Sequence, residues 1–290
     1  MAAKQRVGGP VVKTLYSFYK IFGYGSVYFS LYFVVLYYFL FASNVRESLK
    51  QYYKNIGEEF SNKKYFKHLF NYALATSDRF ISKANPEIYN FINQNRNELL
   101  SELKNGSILL SNHFGGWATA SNYFRDDNIK INIVMNEAMI KNASEFEQVI
   151  NKKNDKNVNI IDLSKGDIAT SISIGNALLN NESVALMGDR AINKKHLHKI
   201  SFFKKDAHFN KNPFLIAYKT KKPIIALFVV LKEKKTYEMI FERIDINTTK
   251  KENEAVEEAM QRYVKLLEKT LKEHPLQWFN FYDFWEDKWN

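Results

Sequence analysis

The amino-acid sequence predicts an α/β fold, with a mainly parallel sheet flanked by helices and a membrane-associated helical N-terminus. Two observations predict the sheet: short apolar runs recur after residue 106, and helix-like stretches separate them. Such alternation is typical of parallel sheets that are covered by helices on both faces. A third observation, the uncharged run 21–45, predicts the membrane-associated helix.

The run 21–45 is long enough for a helix to cross a bilayer. Tyr24, Tyr28 and Tyr32 recur at every fourth position and would form one stripe along a helix, and tyrosine prefers the headgroup level of a membrane. Basic residues precede the run, which places the N-terminus in the cytoplasm. We therefore expect a helix or helical hairpin that lies in, or dips into, the inner leaflet. The alternative is a buried core helix.

The elements that follow are read from their periodicity. Over residues 46–105, apolar residues recur at three- and four-residue spacing, which predicts helices with one polar face. Helices are also predicted over 141–153 and 168–180, and an antiparallel strand within KEKKTYEMIFERIDI. The predicted parallel strands are the runs SILLSN, IKINIVM, VNIIDL, SVALMGD and PIIALFVVL.

The C-terminal part combines an amphipathic helix with an aromatic tail. Over 252–273 one helical face would carry the apolar side chains of Val256, Met260, Tyr263, Val264 and Leu267. The tail HPLQWFNFYDFWEDKW is expected to dock on an apolar surface. We predict a single domain overall, with residues 1–105 as the membrane-associated helical region and 106–290 as the α/β core.

The composition restricts the partners and the chemistry. A formal charge of +11 and a pI of about 9.4 indicate an acidic partner: nucleic acid, anionic lipid or an acidic carrier protein. The absence of cysteine excludes disulfides, thiolate catalysis and cysteine-ligated metals. No P-loop, dinucleotide-binding, zinc-protease or nucleophile-elbow motif occurs, and we expect no cofactor and no metal. His196 and His198 are assigned to a solvated basic loop. Nucleic acid is the least favoured partner, because no binding signature accompanies the charge.

The stretch SNHFGGWATA contains the first candidate for catalysis, His113. It follows an apolar run, and a histidine there could take a proton from an attacking hydroxyl or amine. Asn112 and Trp117 flank it, and Gly115 and Gly116 would allow substrate and backbone to approach closely. A structural histidine is the equal alternative.

The second candidate island is Asp189-Arg190, again at the end of an apolar run. Ligands of open α/β sheets bind beyond the carboxyl ends of the strands, so both islands are expected to face one crevice. Arg190 could hold a phosphate or a developing oxyanion, with Asp189 orienting it. The alternative is a structural Asp–Arg pair.

Together these islands resemble the lysophospholipid acyltransferase superfamily and, more closely, bacterial acyltransferases related to the late lipid A acyltransferases. His113 and the residues after it resemble the H-x4-[D/E] signature of that superfamily. The resemblance covers nearly the whole chain through the blocks VVLYYFLFASNVRESLKQYY, ILLSNHFGGW, ESVALMGDR, NPFLIAYKTKKPIIALFVV and HPLQWFNFYDFW. It points to a branch associated with glycosyltransferases and with aryl-polyene or glycolipid pathways.

The resemblance implies that His113 is the general base on an acceptor hydroxyl or amine. The acceptor would attack the thioester of acyl carrier protein or acyl-CoA. The acceptor would be a lipid or glycolipid on an anionic membrane, at the cytoplasmic face of the bacterial inner membrane, where the protein would be peripheral, monotopic or single-span. Asn112, Gly115, Gly116, Trp117, Asp189 and Arg190 would contact substrate.

The sequence departs from the family pattern at the acid that would orient His113. That acid falls on position 118, which is Ala118. Either the chain is an inactivated variant, the interpretation we favour, or a natural member that uses another acid or none. Asp126-Asp127 is near in sequence. Two further functions stay open: a lipid A late acyltransferase, and a non-catalytic protein that binds lipid or carrier.

Overall fold

Seven strands form one sheet, in the spatial order β1 (Asn90–Ile92), β9 (Thr236–Ile244), β8 (Ile224–Glu233), β2 (Ile108–Ser111), β5 (Ser183–Met187), β3 (Ile131–Met135) and β4 (Val158–Asp162). Strands β8, β2, β5, β3 and β4 are mutually parallel, β9 is antiparallel to β8, and β1 is parallel to β9. The computed structural model describes residues 9–124, 127–136, 140–141, 144, 147, 157–191 and 194–285. Two further strands, β6 (Leu197–Phe202) and β7 (Lys205–Asn210), pair as a separate antiparallel hairpin.

The sheet confirms the predicted α/β class and its mainly parallel character. Its central strands are apolar on both faces: the first eight residues of β8 are buried, as are the first three of β2. Burial on both faces explains why these strands read as continuous apolar runs in the sequence. The predicted antiparallel strand is β9, which pairs with β8 from Ile224↔Ile244 onward.

Eight α-helices are described in these parts of the chain. They are α1 (Gly9–Phe41), α2 (Ser43–Ile56), α3 (Asn62–Ala84), α4 (Arg96–Lys104), α5 (Ala120–Tyr123), α6 (Asp167–Leu179), α7 (Asn212–Thr220) and α8 (Glu252–Glu273). Local signals set several ends: α2 ends at Gly57 in the left-handed conformation, and the Ser61 hydroxyl accepts the Lys64 N–H at the start of α3. The five apolar residues predicted for one face of α8 are all buried.

Helix α1 exposes much of its apolar surface, so the alternative of a buried core helix is wrong. The stretch Lys13–Phe41 is long and apolar enough to cross a membrane, and only 17% of its most apolar window is buried. A kink at Gly23, whose φ is 74°, interrupts the helix. Its large exposed side chains include Phe29, Phe33, Leu36, Tyr37, Leu40 and Phe41. This surface supports the expected association with a membrane.

The tyrosine stripe of α1 faces α3, whereas we expected it at the headgroup level. Tyr28 and Tyr32 pack their rings on Phe70 of α3 at 5.1 and 4.6 Å. Tyr24 donates a hydrogen bond to Asp78 of α3 at 3.0 Å. The stripe therefore joins the membrane helix to the protein, and phenylalanines and leucines make up much of the exposed face.

A buried carboxylate ties four elements together beside the sheet. Asp78 accepts hydrogen bonds from Tyr24, Tyr89 and Tyr237, at 3.0, 2.9 and 2.6 Å. Burial raises the pKa of Asp78 to about 6, although the three hydroxyl donors act in the opposite direction. These bonds connect α1, α3, the turn before β1 and strand β9.

Two parts of the fold differ from the sequence prediction. Strand β1 lies within 46–105, where only helices were predicted, because three residues are too short to show a period. His198 lies on β6 of the antiparallel β6–β7 hairpin, which corrects the assigned loop, while His196 ends the short turn before it. Most of the helix predicted over 141–153 lies outside the described residues, and the domain boundary at residue 105 stays a prediction.

Candidate active site

The two candidate islands, around His113 and at Asp189-Arg190, lie together at the carboxyl edge of the sheet. Strands β2 and β5 are parallel neighbours, with Ser111 opposite Met187. His113 and Asp189 each follow two residues after those positions. Because parallel strands present their carboxyl ends at the same edge, this register brings the two side chains together.

His113 is bound twice by the Asp189 carboxylate. Its Nδ1 lies 3.0 Å from Oδ1 and 3.1 Å from Oδ2, and its backbone N–H donates to Oδ2 at 3.0 Å. The Asp189 side chain is fully buried, whereas that of His113 is 22% exposed. The ring is therefore fixed on one side and open to solvent on the other.

The ionisation of Asp189 determines which ring nitrogen is free. Burial alone would raise the pKa of Asp189, but the charge and hydrogen bonds of His113 and the nearby Arg190 hold it well below its usual value. An ionised carboxylate only accepts hydrogen bonds, so Nδ1 of His113 carries the proton that it shares. Nε2 is then the basic nitrogen, and no described residue forms a hydrogen bond with it.

A residue that sequence analysis missed, Asn280, completes the arrangement. Its Nδ2 donates to Asp189 Oδ2 at 2.8 Å, and its Oδ1 accepts the Nε–H of Arg190 at 2.6 Å. Arg190 also donates to the Phe279 carbonyl and lies over the Tyr282 ring. Arg190 is thus engaged by the C-terminal segment, and its contact with substrate stays a prediction. One feature of the sequence could have identified Asn280: its amide side chain lies within the aromatic run WFNFYDFW. If such an amide is buried, it needs hydrogen-bond partners.

The same C-terminal segment holds the loop around His113. The Phe279 N–H donates to the His113 carbonyl at 2.7 Å, and the Gly115 N–H donates to the Gln277 carbonyl at 2.8 Å. The Gln277 amide bonds both the N–H and the carbonyl of Leu231 in β8. The predicted docking of the aromatic tail on an apolar surface is confirmed, because Trp278 and Phe284 are buried in the hydrophobic core, and the same segment holds the His113 loop.

The two glycines leave room for the protein rather than for substrate. A Cβ on Gly115 would lie 1.9 Å from the Val229 carbonyl oxygen, and the φ of Gly115 is +51°. A Cβ on Gly116 would lie 2.3 Å from the Tyr237 ring. The predicted close approach is thus made by β8 and by Tyr237 of β9.

The remaining predicted residues divide between the site and the core. The Trp117 ring lies 5.5 Å from that of His113 and forms part of the site. Asn112 is 1% exposed and donates to Tyr263 of α8 at 3.4 Å, so its side chain belongs to the core. Burial, with the charge of Asp189 nearby, raises the pKa of Tyr263, which keeps its hydroxyl protonated. A substrate contact for Asn112 stays a prediction.

The carboxylate next to His113 comes from Asp189 and not from position 118. Asp189 makes three contacts with His113, a partnership that the sequence did not predict, and orientation of Arg190 by Asp189 stays a prediction. Asp127, the other nearby acid in the described residues, forms an ion pair with Arg96 at 2.8 Å. Ala118 is half-buried and has no group that could bond the ring.

Comparison with known families matches residues 69–287 to the bacterial lipid A biosynthesis acyltransferases. The chain belongs to this family. The match includes every residue of the site, and it makes the protein an acyltransferase of lipid biosynthesis, with an acyl donor and a lipid acceptor. A comparison with curated proteins finds no match.

The candidate site described here is formed by side chains and backbone from the ends of β2 and β5 and from the C-terminal segment. No group of three or more side chains that could ligate a metal ion occurs in the described part of the protein. The arrangement can accept a proton at one point, Nε2 of His113, and can stabilise the charged ring through Asp189.

Proposed function

We propose that this protein is a membrane-associated acyltransferase with His113 as general base. It moves a fatty acyl chain from an acyl thioester to a hydroxyl or amine of a glycolipid, a polyene lipid or a related acceptor. The observation that supports this most is the contact of His113 Nδ1 with Asp189 at 3.0 Å, which leaves Nε2 available.

The reaction needs one proton acceptor that later becomes a donor. Nε2 of His113 takes the proton of the acceptor O–H or N–H as its oxygen or nitrogen attacks the thioester carbonyl. The tetrahedral intermediate then collapses, the C–S bond breaks, and the imidazolium gives the proton to the departing thiolate. Asp189 stabilises the imidazolium between the two steps and fixes the ring.

The acyl donor is an acyl carrier protein or acyl-CoA. The formal charge of +11 favours a strongly acidic carrier, because charge complementarity speeds the encounter and directs it. The same charge suits an anionic membrane surface.

The location of α1 supports a lipid acceptor. The β8–β9 turn follows the carboxyl end of β8, which is the sheet edge where His113 lies. In that turn, Lys234 Nζ is 3.6 Å from the centre of the Tyr28 ring of α1. The exposed apolar helix therefore lies at the edge that carries the site. We place the protein at the cytoplasmic face of the inner membrane, with α1 offering the acyl chain a path from the lipid.

A lipid A precursor is the second candidate acceptor, and the family match favours it. The third candidate, a non-catalytic protein that binds lipid or carrier, had Ala118 as its main support. The presence of Asp189 beside His113 weakens that support, because the ring has an acid partner without position 118.

The proposal is tested by acyl transfer with the full chain. Acyl carrier protein or CoA with a labelled acyl chain is incubated with a detergent extract of the source membranes, and label in lipid is measured. Because Asp189 gives His113 a carboxylate partner without position 118, we expect transfer by the unsubstituted chain. We expect loss of transfer in His113→Ala and full transfer in the control His198→Ala on the β6–β7 hairpin. Equal transfer by His113→Ala would refute the role of the base. Purified lipid A precursor and glycolipid acceptors, compared next, identify the acceptor.

A further inference from the structure

One face of α3 carries two cations beside the site. Tyr72, Arg79 and Lys83 follow one another at spacings of i, i+7 and i+11, which places them on one side of the helix. The Tyr72 ring packs on Phe279 and Phe281, with ring centres 5.3 and 4.9 Å apart. Arg79 and Lys83 therefore continue the face of α3 that contacts the C-terminal segment of the site.

Two contacts locate this face relative to His113. The Phe279 ring lies 5.9 Å from the Trp117 ring, which is itself 5.5 Å from that of His113. Further along α3, the Ser82 hydroxyl accepts a hydrogen bond from Asn122 of α5, the short helix that follows His113 and Trp117, at 2.7 Å. Arg79 lies on the stretch of α3 between these two contacts, so it borders the approach to the site.

Arg79 has no anionic partner in the part of the protein that the structure describes. Its guanidinium lies 5.4 Å from the ring of the adjacent Phe80 and forms no hydrogen bond or ion pair with any described residue. The residue is nevertheless only partly exposed, and burial lowers the pKa of Arg79. Among the described residues, Arg79 therefore loses hydration without gaining a counter-charge, which a bound anion would supply.

The positive charge of Lys83 has one carboxylate near it among the described residues, at a distance longer than a hydrogen bond. Its Nζ lies 3.8 Å from Oε1 of Glu147, and that buried oxygen has no hydrogen bond of its own. Burial lowers the pKa of Lys83, the charge of Glu147 opposes this, and the charge of Arg79 adds to it. Of these two neighbouring cations, only Lys83 thus has a carboxylate nearby among the described residues, and that carboxylate oxygen is not hydrogen-bonded to it.

We propose that Arg79 and Lys83 bind a phosphate group of the substrate as it occupies the site. A guanidinium and an ammonium on one face can contact a phosphate together, the first as a planar fork and the second as a point charge. The phosphate belongs either to a phosphomonoester on the acceptor lipid or to the phosphopantetheine arm of the donor. This inference rests on the proposed acyl transfer for its meaning, but its test does not depend on transfer.

The test measures binding to the full chain in detergent by calorimetry. Probe one is a short-chain phosphatidic acid, with the matching diacylglycerol as its uncharged control, and probe two is 4′-phosphopantetheine. For the probe that occupies the site, we expect Arg79→Gln to weaken binding about tenfold and the double variant with Lys83→Gln to weaken it further. Weakening of the lipid probe alone assigns the phosphate to the acceptor, and weakening of phosphopantetheine alone assigns it to the donor.

Two controls separate this site from general charge and from catalysis. Arg262→Gln on the exposed face of α8 removes an equal charge and should leave both dissociation constants unchanged. His113→Ala should also keep phosphate binding while it abolishes transfer, so failure of the acyltransferase proposal would leave the binding result intact.

The inference is overturned if wild-type protein binds neither probe, or if the folded double variant binds both as tightly as wild type does. Should the double variant fail to fold, Arg79→Lys decides, because it keeps the charge and loses the fork. Weakening of about threefold or more then supports the site, and unchanged binding overturns it.

Discussion

His113 and Asp189 are 76 residues apart in the chain, yet Nδ1 of His113 lies 3.0 Å from Oδ1 of Asp189. The contact gives His113 a carboxylate partner in this chain, which has Ala118 where the resemblance predicts an acid. Substituting Asp189 by Asn should therefore lower kcat by about 10³- to 10⁴-fold with little change in KM, because the ring loses its orienting charge. Steady-state transfer of a labelled acyl group measures this. Asp162→Asn at the end of β4 serves as control, and an unchanged kcat in Asp189→Asn would contradict the pairing.

Position 118 gives the complementary prediction. Because Asp189 already bonds His113, the carboxylate added by Ala118→Glu is not needed, and transfer should change by no more than about twofold, or about 0.4 kcal/mol. The same transfer assay, run beside the wild-type protein, measures the ratio. A large gain of transfer in Ala118→Glu would mean that the wild-type chain lacks a working acid, and that Asp189 has only a structural role.

Asn280 is predicted to position Asp189 without touching substrate. Asn280→Ala removes the donor to Asp189 and the acceptor for Arg190, so kcat should fall about 10- to 100-fold while KM changes little. The free energy of unfolding should fall by about 1–3 kcal/mol, since buried polar groups lose their partner. Asn247→Ala, in the turn before α8, is the control. A KM effect without a kcat effect would assign Asn280 to substrate binding.

The tight loop after His113 predicts a contrast between two glycines. Gly115→Ala should lower the free energy of unfolding by about 3 kcal/mol or more, because the methyl group would collide with the Val229 carbonyl and strain a positive φ. Gly175→Ala, in helix α6 with open space around it, should raise stability by up to about 1 kcal/mol. Thermal and denaturant unfolding measure both. Equal stability of the two variants would show that the loop is not packed as described.

Asp78 predicts a pH dependence of stability. Its pKa is raised from 3.8 to about 6 on folding, so the folded protein keeps this proton after the unfolded chain has lost it. The stabilisation is complete below about pH 4 and is lost as the pH rises through 6, a change of about 3 kcal/mol. Asp78→Asn removes the titration. Wild type minus variant stability should therefore decrease between about pH 4 and pH 7 in denaturant unfolding. A flat difference would refute the shift.

The exposed face of α1 should carry the membrane affinity. Phe33→Ser with Leu40→Ser removes two large exposed side chains and keeps the tyrosines that contact α3, so flotation with anionic vesicles should fall at least about tenfold. Ile168→Ser with Ile172→Ser on α6 removes a similar exposed area and should leave flotation unchanged. If the α6 pair lost flotation and the α1 pair kept it, the membrane surface would lie on α6.

The sequence predicted the sheet well because its central strands are buried on both faces. Runs such as PIIALFVVL cannot be solvated, whatever the topology, and β8 is buried as expected. The β6–β7 hairpin was missed because charged residues interrupt its alternation, as in LHKISF and KDAHFN. Periodicity shows a strand only when one face is consistently apolar.

The sequence predicted individual residues of the site but not the contacts between them. His113 and Asp189 were both identified, and the strand ends were expected to share an edge. Their contact depends on the register that sets Ser111 opposite Met187, which no periodicity in the sequence specifies. Asn280 depends on where a tail of aromatic residues docks, which is likewise a long-range property.

The C-terminal segment also sets an order of events during synthesis. Helix α1 is made before every other described element, whereas the segment with Phe279 and Asn280 is made after all the strands of the sheet. Chains fold from the N-terminal side as they emerge from the ribosome. The exposed apolar surface of α1 is thus available to a membrane before Asn280 can engage Asp189.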